Sequence, residues 1–201
     1  MFIEALLLGV AVGLFRGGSV KSLRTAHIRM PVLLVLAFLV QVLVSFMLLA
    51  GSSFFINQRL IFYAVSYGLL FVALFANLNN KAVWLVVLGS LLNFAVIFLN
   101  GGTLPIAMEA LEKAGFNNRL ELIQAGRLVQ YELIEGSGNW LGFLGKRFTP
   151  PAMYPIKQVF SLGDALISLG VFFWIQNLLM GGGQYQKARV IRIDHRGKIW
   201  R

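Results

Sequence analysis

Asp164 and Glu4 are the two carboxylates of this chain that lie against long apolar runs. An ionisable group in that position is a candidate for handling a proton, a cation or an amine, because apolar surroundings make an unpaired charge costly. Amide and hydroxyl side chains accompany them. Gln41, Asn93 and Asn100 lie inside or at the end of apolar runs, and Ser161 stands three residues before Asp164. If Glu4, Asn93, Asn100 and Asp164 share the outer half of a membrane, with Gln41 nearer its middle, they form an outward-facing polar pocket. Two carboxylates in such a pocket suit a cation, a proton or an amine-bearing head group. The competing reading is that each side chain satisfies its own helix–helix hydrogen bond.

Asp164 carries a structural reading beside the functional one. Ser161-Leu162-Gly163-Asp164 has capping-box spacing. In that motif a serine caps the helix while the acid at the third position bonds back, close to the positive end of the helix dipole. The two readings are compatible.

Other chemistry is sparse. The chain has no cysteine, and its two histidines, His27 and His195, have no carboxylate at metal-ligand spacing. Arg16-Gly17-Gly18-Ser19 is too short for a phosphate loop. No serine has a histidine partner in a recognisable motif. Neither a catalytic set, a metal nor a cofactor is expected.

The elements that position these residues are apolar. Of 201 residues 58% are hydrophobic and 13% charged, and the mean hydropathy is +0.75. A soluble domain has roughly 25% charged residues. The expected fold is therefore an all-α integral membrane helical bundle. About five transmembrane helices are expected, over 1–15, 31–51, 60–76, 82–99 and 162–180. They make up a transmembrane domain of residues 1–183, followed by a basic tail, 184–201. The first run is short for a core of about 30 Å, which takes about 20 residues. Gly9 and Gly13 give it a small-xxx-small face for close packing.

The composition changes over 100–155, where five of the eight acids fall. Two amphipathic helices are expected there, over 105–114 and 118–135. The second is expected to open on a capping box, and both to lie on the membrane or over the bundle. A glycine-rich loop, 136–154, follows. In the tail, Val190 to Ile193 and Ile199-Trp200 suggest a small hairpin.

Charge placement gives an orientation. Arg16, Lys21, Arg24 and Arg29 follow the first run, Lys81 precedes the fourth, and the tail holds Lys187, Arg189, Arg192, Arg196, Lys198 and Arg201. Basic residues gather on the cytoplasmic side of membranes, where anionic lipid attracts them. The N-terminus is therefore expected outside, the tail in the cytoplasm, and 100–155 facing outward. This basic balance is read as lipid contact. Nucleic acid is set aside, because aromatics do not interleave with the basic residues.

Four motifs run through the chain in order: Gly13-Leu14-Phe15-Arg16-Gly17-Gly18, Gln41 in the second run, Asn100-Gly101-Gly102-Thr103-Leu104-Pro105, and Ser161-Leu162-Gly163-Asp164. The ordered set resembles a bacterial family of multi-span membrane proteins built on a domain of unknown function. The resemblance implies a bundle in the bacterial cytoplasmic membrane and no established activity. One departure is Leu144-Gly145-Lys146, where the resemblance implies a second Leu-Gly-Asp.

The expected function is non-enzymatic: binding of membrane lipid or a protein partner through the outer pocket and its covering segment. Two alternatives stay open. One is a small transporter or ion-coupling subunit using Glu4 and Asp164. The other is a lipid-modifying enzyme with Asp164 as acid or base.

Overall fold

The structure is a computed structural model that describes residues 1–134, 140–151, 153–181, 192–193 and 199–200. The chain begins with α1 (Phe2–Phe15) and a single capped turn and a half, α2 (Val20–Thr25), whose N-cap is Ser19. Three long apolar helices follow: α3 (Pro31–Leu49), α4 (Ser53–Ala76) and α5 (Lys81–Leu99). The next segment folds as β1 (Leu104–Ala107), α6 (Met108–Lys113), α7 (Asn117–Gln124), β2 (Tyr131–Ile134) and α8 (Trp140–Leu144). The helix α9 (Leu162–Leu179) completes the bundle. A two-residue antiparallel pair, β3 (Arg192–Ile193) with β4 (Ile199–Trp200), sits where the tail hairpin is expected.

Four helices, α3, α4, α5 and α9, are long and apolar enough to cross a membrane. α1 is apolar but has 14 residues. At 1.5 Å per residue that is about 21 Å, less than a hydrocarbon core of about 30 Å. α4 begins before the expected boundary of residue 60, so Arg59 is helical and not part of a link.

The helices pack in the order α1, α9, α5, α4, α3, with α9 held between α1 and α5. The two α9 seams are built from small residues. A Cβ on Gly89 would lie 2.5 Å from the Gly163 carbonyl oxygen, and one on Gly170 2.8 Å from the Val86 nitrogen. On the other side, a Cβ on Gly9 would lie 2.9 Å from the Phe172 carbonyl oxygen, and one on Gly13 2.6 Å from Leu179 Cδ1. Close backbone approach of this kind is how helices associate in lipid, where burying apolar surface gives no advantage over facing acyl chains. α3 shows the opposite pattern: Val32, Phe38 and Phe46 are each more than 60% exposed. That face suits lipid.

Cross-links identify the two ends of the bundle. At one end Ser19 N–H bonds to the Leu179 carbonyl, Arg16 to Gln176, Asn177 to Asn80, and Arg29 and Asn77 bond reciprocally through backbone and amide. At the other end Arg59 Nε donates to the Gly101 carbonyl, and the described residues between Asn100 and Phe160 are gathered there. The basic connector and the Asn77–Asn80 turn thus share one end.

The segment over the other end differs from the sequence expectation. The first expected helix, 105–114, begins as a strand, and only 108–113 is helical. The second, 118–135, stops at Gln124. Gly126 then adopts φ +68°, and Tyr131–Ile134 pairs in parallel with β1. Asn118 is not a cap either; Phe116 holds that position without a side-chain bond. The expected loop contains α8 and two bridges, Ile106 with Lys146 and Phe148 with Phe160. Residues 135–139 and 152 of that loop lie outside the described residues. Pro105 is tolerated in β1 because its missing N–H points away from β2, toward the edge where only Lys146 pairs. Ile106, Leu111, Ala110, Ile123, Leu128 and Val159 form a core of their own. The segment is a small packed unit seated on the bundle, not a pair of surface helices.

Candidate functional site

The site is built where that unit meets α9. Ser161, in extended conformation, caps α9, and the capping box forms completely. Ser161 Oγ accepts from Asp164 N–H at 3.0 Å, and Asp164 Oδ2 accepts from Ser161 N–H at 3.1 Å. Asn93, two turns before the end of α5, inserts between them. Its Nδ2 donates to Asp164 Oδ1 at 2.8 Å, and its Oδ1 accepts from Ser161 Oγ at 2.8 Å. The glycine seam makes this possible, because the Asn93 amide sits where a Cβ on Gly163 would be. Lys146 Nζ completes the network, 3.7 Å from Asp164 Oδ2, with both side chains about a quarter exposed. It enters from the unit above, positioned by reciprocal backbone bonds to Pro105 and Ala107.

Glu4 anchors a second network beside the first. Its carboxylate accepts both oxygens' bonds from Gln158 Nε2 at 3.1 Å, receives a bond from Tyr154, and pairs with the N-terminal ammonium. The ammonium also bonds Gln158 Oε1. Its hydrogen bond to Glu4 is the main reason that the carboxyl lies below the usual range, burial pulling the other way.

Between the two networks lies a cleft of about 360 Å³. Phe2, Ile167 and Ser168 contribute from the helices. Phe116, Arg119, Lys146 and Lys157 contribute from the unit, and Asp164 lies in the wall. Arg119 is stacked over the Phe116 ring at 5.0 Å. A second cavity of about 250 Å³ shares Lys157 and Gln158 with it.

The structure thus brings together Ser161, Asp164 and Asn93, with Glu4 next to them through Gln158. The other two candidates are elsewhere. Asn100 binds Thr103 and Glu132, in a cluster that closes the Asn100–Pro105 turn. Gln41 bonds the buried Tyr67 between α3 and α4. The single pocket of four polar groups with a central glutamine is therefore not formed. Both carboxylates are also occupied from within the chain, so the expected cation does not find two vacant acids. Among the described residues no group of three His, Cys, Asp or Glu side chains is placed to hold a metal.

Of the basic residues, Arg16 donates to the Gln176 amide oxygen at 2.7 Å, and Arg29 reaches the Ala76 carbonyl. Lys21 and Arg24 are exposed on α2. Lys187 and Arg189 lie outside the described residues, and only the backbone of Arg192 is described. The residues that sequence reasoning did not bring to the site are Lys146, Lys157, Arg119, Gln158 and Tyr154. Lys146 had a signal, as the basic residue at the departure from Leu-Gly-Asp. Arg119 sits on α7, and Lys157, Gln158 and Tyr154 in irregular chain, and where these segments meet α9 is set by distant partners.

No curated protein and no solved structure matches the chain. A model of a family of unknown function, DUF5317, matches residues 25–176. That stretch holds α3 to α5, the packed unit, the Asn93–Ser161–Asp164 network and nearly all of α9, and the chain belongs to this family.

Proposed function

We propose that the chain is a non-enzymatic integral membrane protein that seats a lipid in the cleft between α1, α9 and the packed unit. The observation that carries this reading is the amphipathic character of the cleft. Phe2, Phe116, Val159, Phe160 and Ile167 give it apolar surface, and Arg119, Lys146, Lys157, Gln158, Asp164 and Ser168 give it polar groups. Ligand sites are typically apolar clefts with a few convergent polar groups. A cleft of this kind at the end of membrane helices offers apolar contacts to acyl chains and polar groups to a head group. The proposed setting is the cytoplasmic membrane of a bacterium, with 100–155 outward and the tail cytoplasmic, as the charge asymmetry supports.

The test is photo-crosslinking from p-benzoylphenylalanine at Phe116. The expected result is an adduct with one lipid class. The same group at Phe38, on the exposed face of α3, should give adducts that follow bulk lipid composition. Adducts at Phe116 that also follow the bulk, or none with lipid, would remove the reading.

Two specific observations weigh against the alternatives. A transporter using Glu4 and Asp164 asks for a polar path along α9, whereas the seam beneath Asp164 is filled by Gly89, Gly163 and Gly170 backbone contacts. An enzyme using Asp164 as acid or base asks for a free carboxyl, whereas this one serves Ser161, Asn93 and Lys146.

A further inference from the structure

We infer that the cleft recognises a phosphate-bearing anionic head group, through Lys157 and Arg119. The inference rests on the lipid reading above and names the chemistry of the ligand. Charges around the cleft divide into those already balanced and those left over. The N-terminal ammonium is held by Glu4, and Lys146 faces Asp164. Lys157 and Arg119 have no carboxylate within ion-pair distance among the described residues, yet both line the cleft. Both are exposed. The remaining field in the cleft is therefore positive. Arg119 is also held, since its guanidinium lies over Phe116 at 5.0 Å. A stacked guanidinium keeps its edge donors available to a phosphate and has less freedom to lose on binding. Lys157, in the irregular chain before α9, supplies a point charge. Asp164 and its partners do not compete for the anion as free acceptors. Asp164 directs its oxygens to the Ser161 N–H, the Asn93 amide and Lys146.

The source of the phosphate is taken to be a lipid, because Phe2 and Ile167 line the same cleft as the cations. A free phosphate would need neither. An acidic peptide would need a longer groove than this cleft of about 360 Å³.

The experiment uses the full-length chain in detergent and four short-chain probes: dioctanoyl phosphatidylglycerol, dioctanoyl phosphatidylcholine, dioctanoylglycerol and inorganic phosphate. Binding is read by thermophoresis at low and high salt. Phosphatidylglycerol is expected to bind most tightly and to weaken with salt. Lys157→Gln and Arg119→Gln should each weaken it about tenfold, the loss of one charge-assisted hydrogen bond. Lys157→Arg should retain it. Neither glutamine variant should shift the melting temperature, since both side chains are exposed. Equal binding of dioctanoylglycerol, with no effect of the variants, would overturn the phosphate inference and leave the lipid seat standing. Inorganic phosphate binding as tightly as the phospholipid, with loss in both variants, would overturn the lipid as source. No binding of any probe would overturn both.

Discussion

Asp164 makes three interactions and Asn93 two, and their energies are unequal. The capping bonds and the Asn93 amide bond are at 2.8 to 3.1 Å, whereas Lys146 stands 3.7 Å away and partly in solvent. Partly exposed ion pairs contribute about 0–1 kcal/mol, and a lost cap costs about 1 kcal/mol. Asp164→Ala should therefore lower the melting temperature in detergent clearly, and Lys146→Ala only slightly. The reverse order would mean that the ion pair, and not the cap, holds the end of α9. Asn93→Leu should cost about 1–3 kcal/mol by leaving partly buried groups unpaired. Glu4 gives a pH dependence. The N-terminal ammonium beside it holds its carboxyl below the usual carboxylate range in the folded chain. Stability from this anchor is thus fully present above the ordinary carboxylate pKa of about 4.3 and is lost as pH falls through the lower folded one. Protection of the Phe160 amide, which donates to the Phe148 carbonyl two residues from Gln158, should fall on acidification below pH about 4.3 in the native chain. It should already be reduced at neutral pH in Glu4→Gln.

At the scale of elements, the seams of α9 are the sensitive feature. Gly89→Ala forces a methyl to 2.5 Å from a carbonyl oxygen of a packed helix. Overpacking of that kind costs roughly 1–3 kcal/mol. Gly68→Ala on α4 meets nothing within 4 Å and should be neutral or slightly stabilising, since alanine is the better helix former. A melt of the two variants side by side checks the difference. The long helices were readable because their composition alone specifies them, and the Ser161–Asp164 cap because its signal is local. The strands were not. Tyr131 and Ile134 fit a helical spacing while Tyr131 and Leu133 fit an alternating one, and the choice is made by β1, some thirty residues earlier, through the Leu104–Tyr131 register. The same non-locality hid the cleft. Lys146 reaches Asp164 because its backbone pairs with β1, and no spacing in the chain encodes that. Asn100 joins another cluster for a related reason: a shared depth in the membrane with Asn93 says nothing of Glu132, its partner in the structure.

The whole molecule has one end bearing the basic connector and the other covered by the packed unit. Because the chain has no native cysteine, single cysteines report this directly. In intact cells, Asn118→Cys should react with a membrane-impermeant maleimide, and Lys21→Cys only after permeabilisation. The opposite pattern would invert the orientation and the placement of the cleft. α9 leaves the ribosome after the other long helices of the bundle, yet it fits between α1 and α5. Until then the faces of Gly9, Gly13, Gly89 and Asn93 have no neighbour, and Lys146 has no carboxylate. The Lys146–Asp164 side of the cleft is thus assembled only once α9 has been made. An interrupted chain would show its exposed small-residue faces to membrane quality control before it could bind anything.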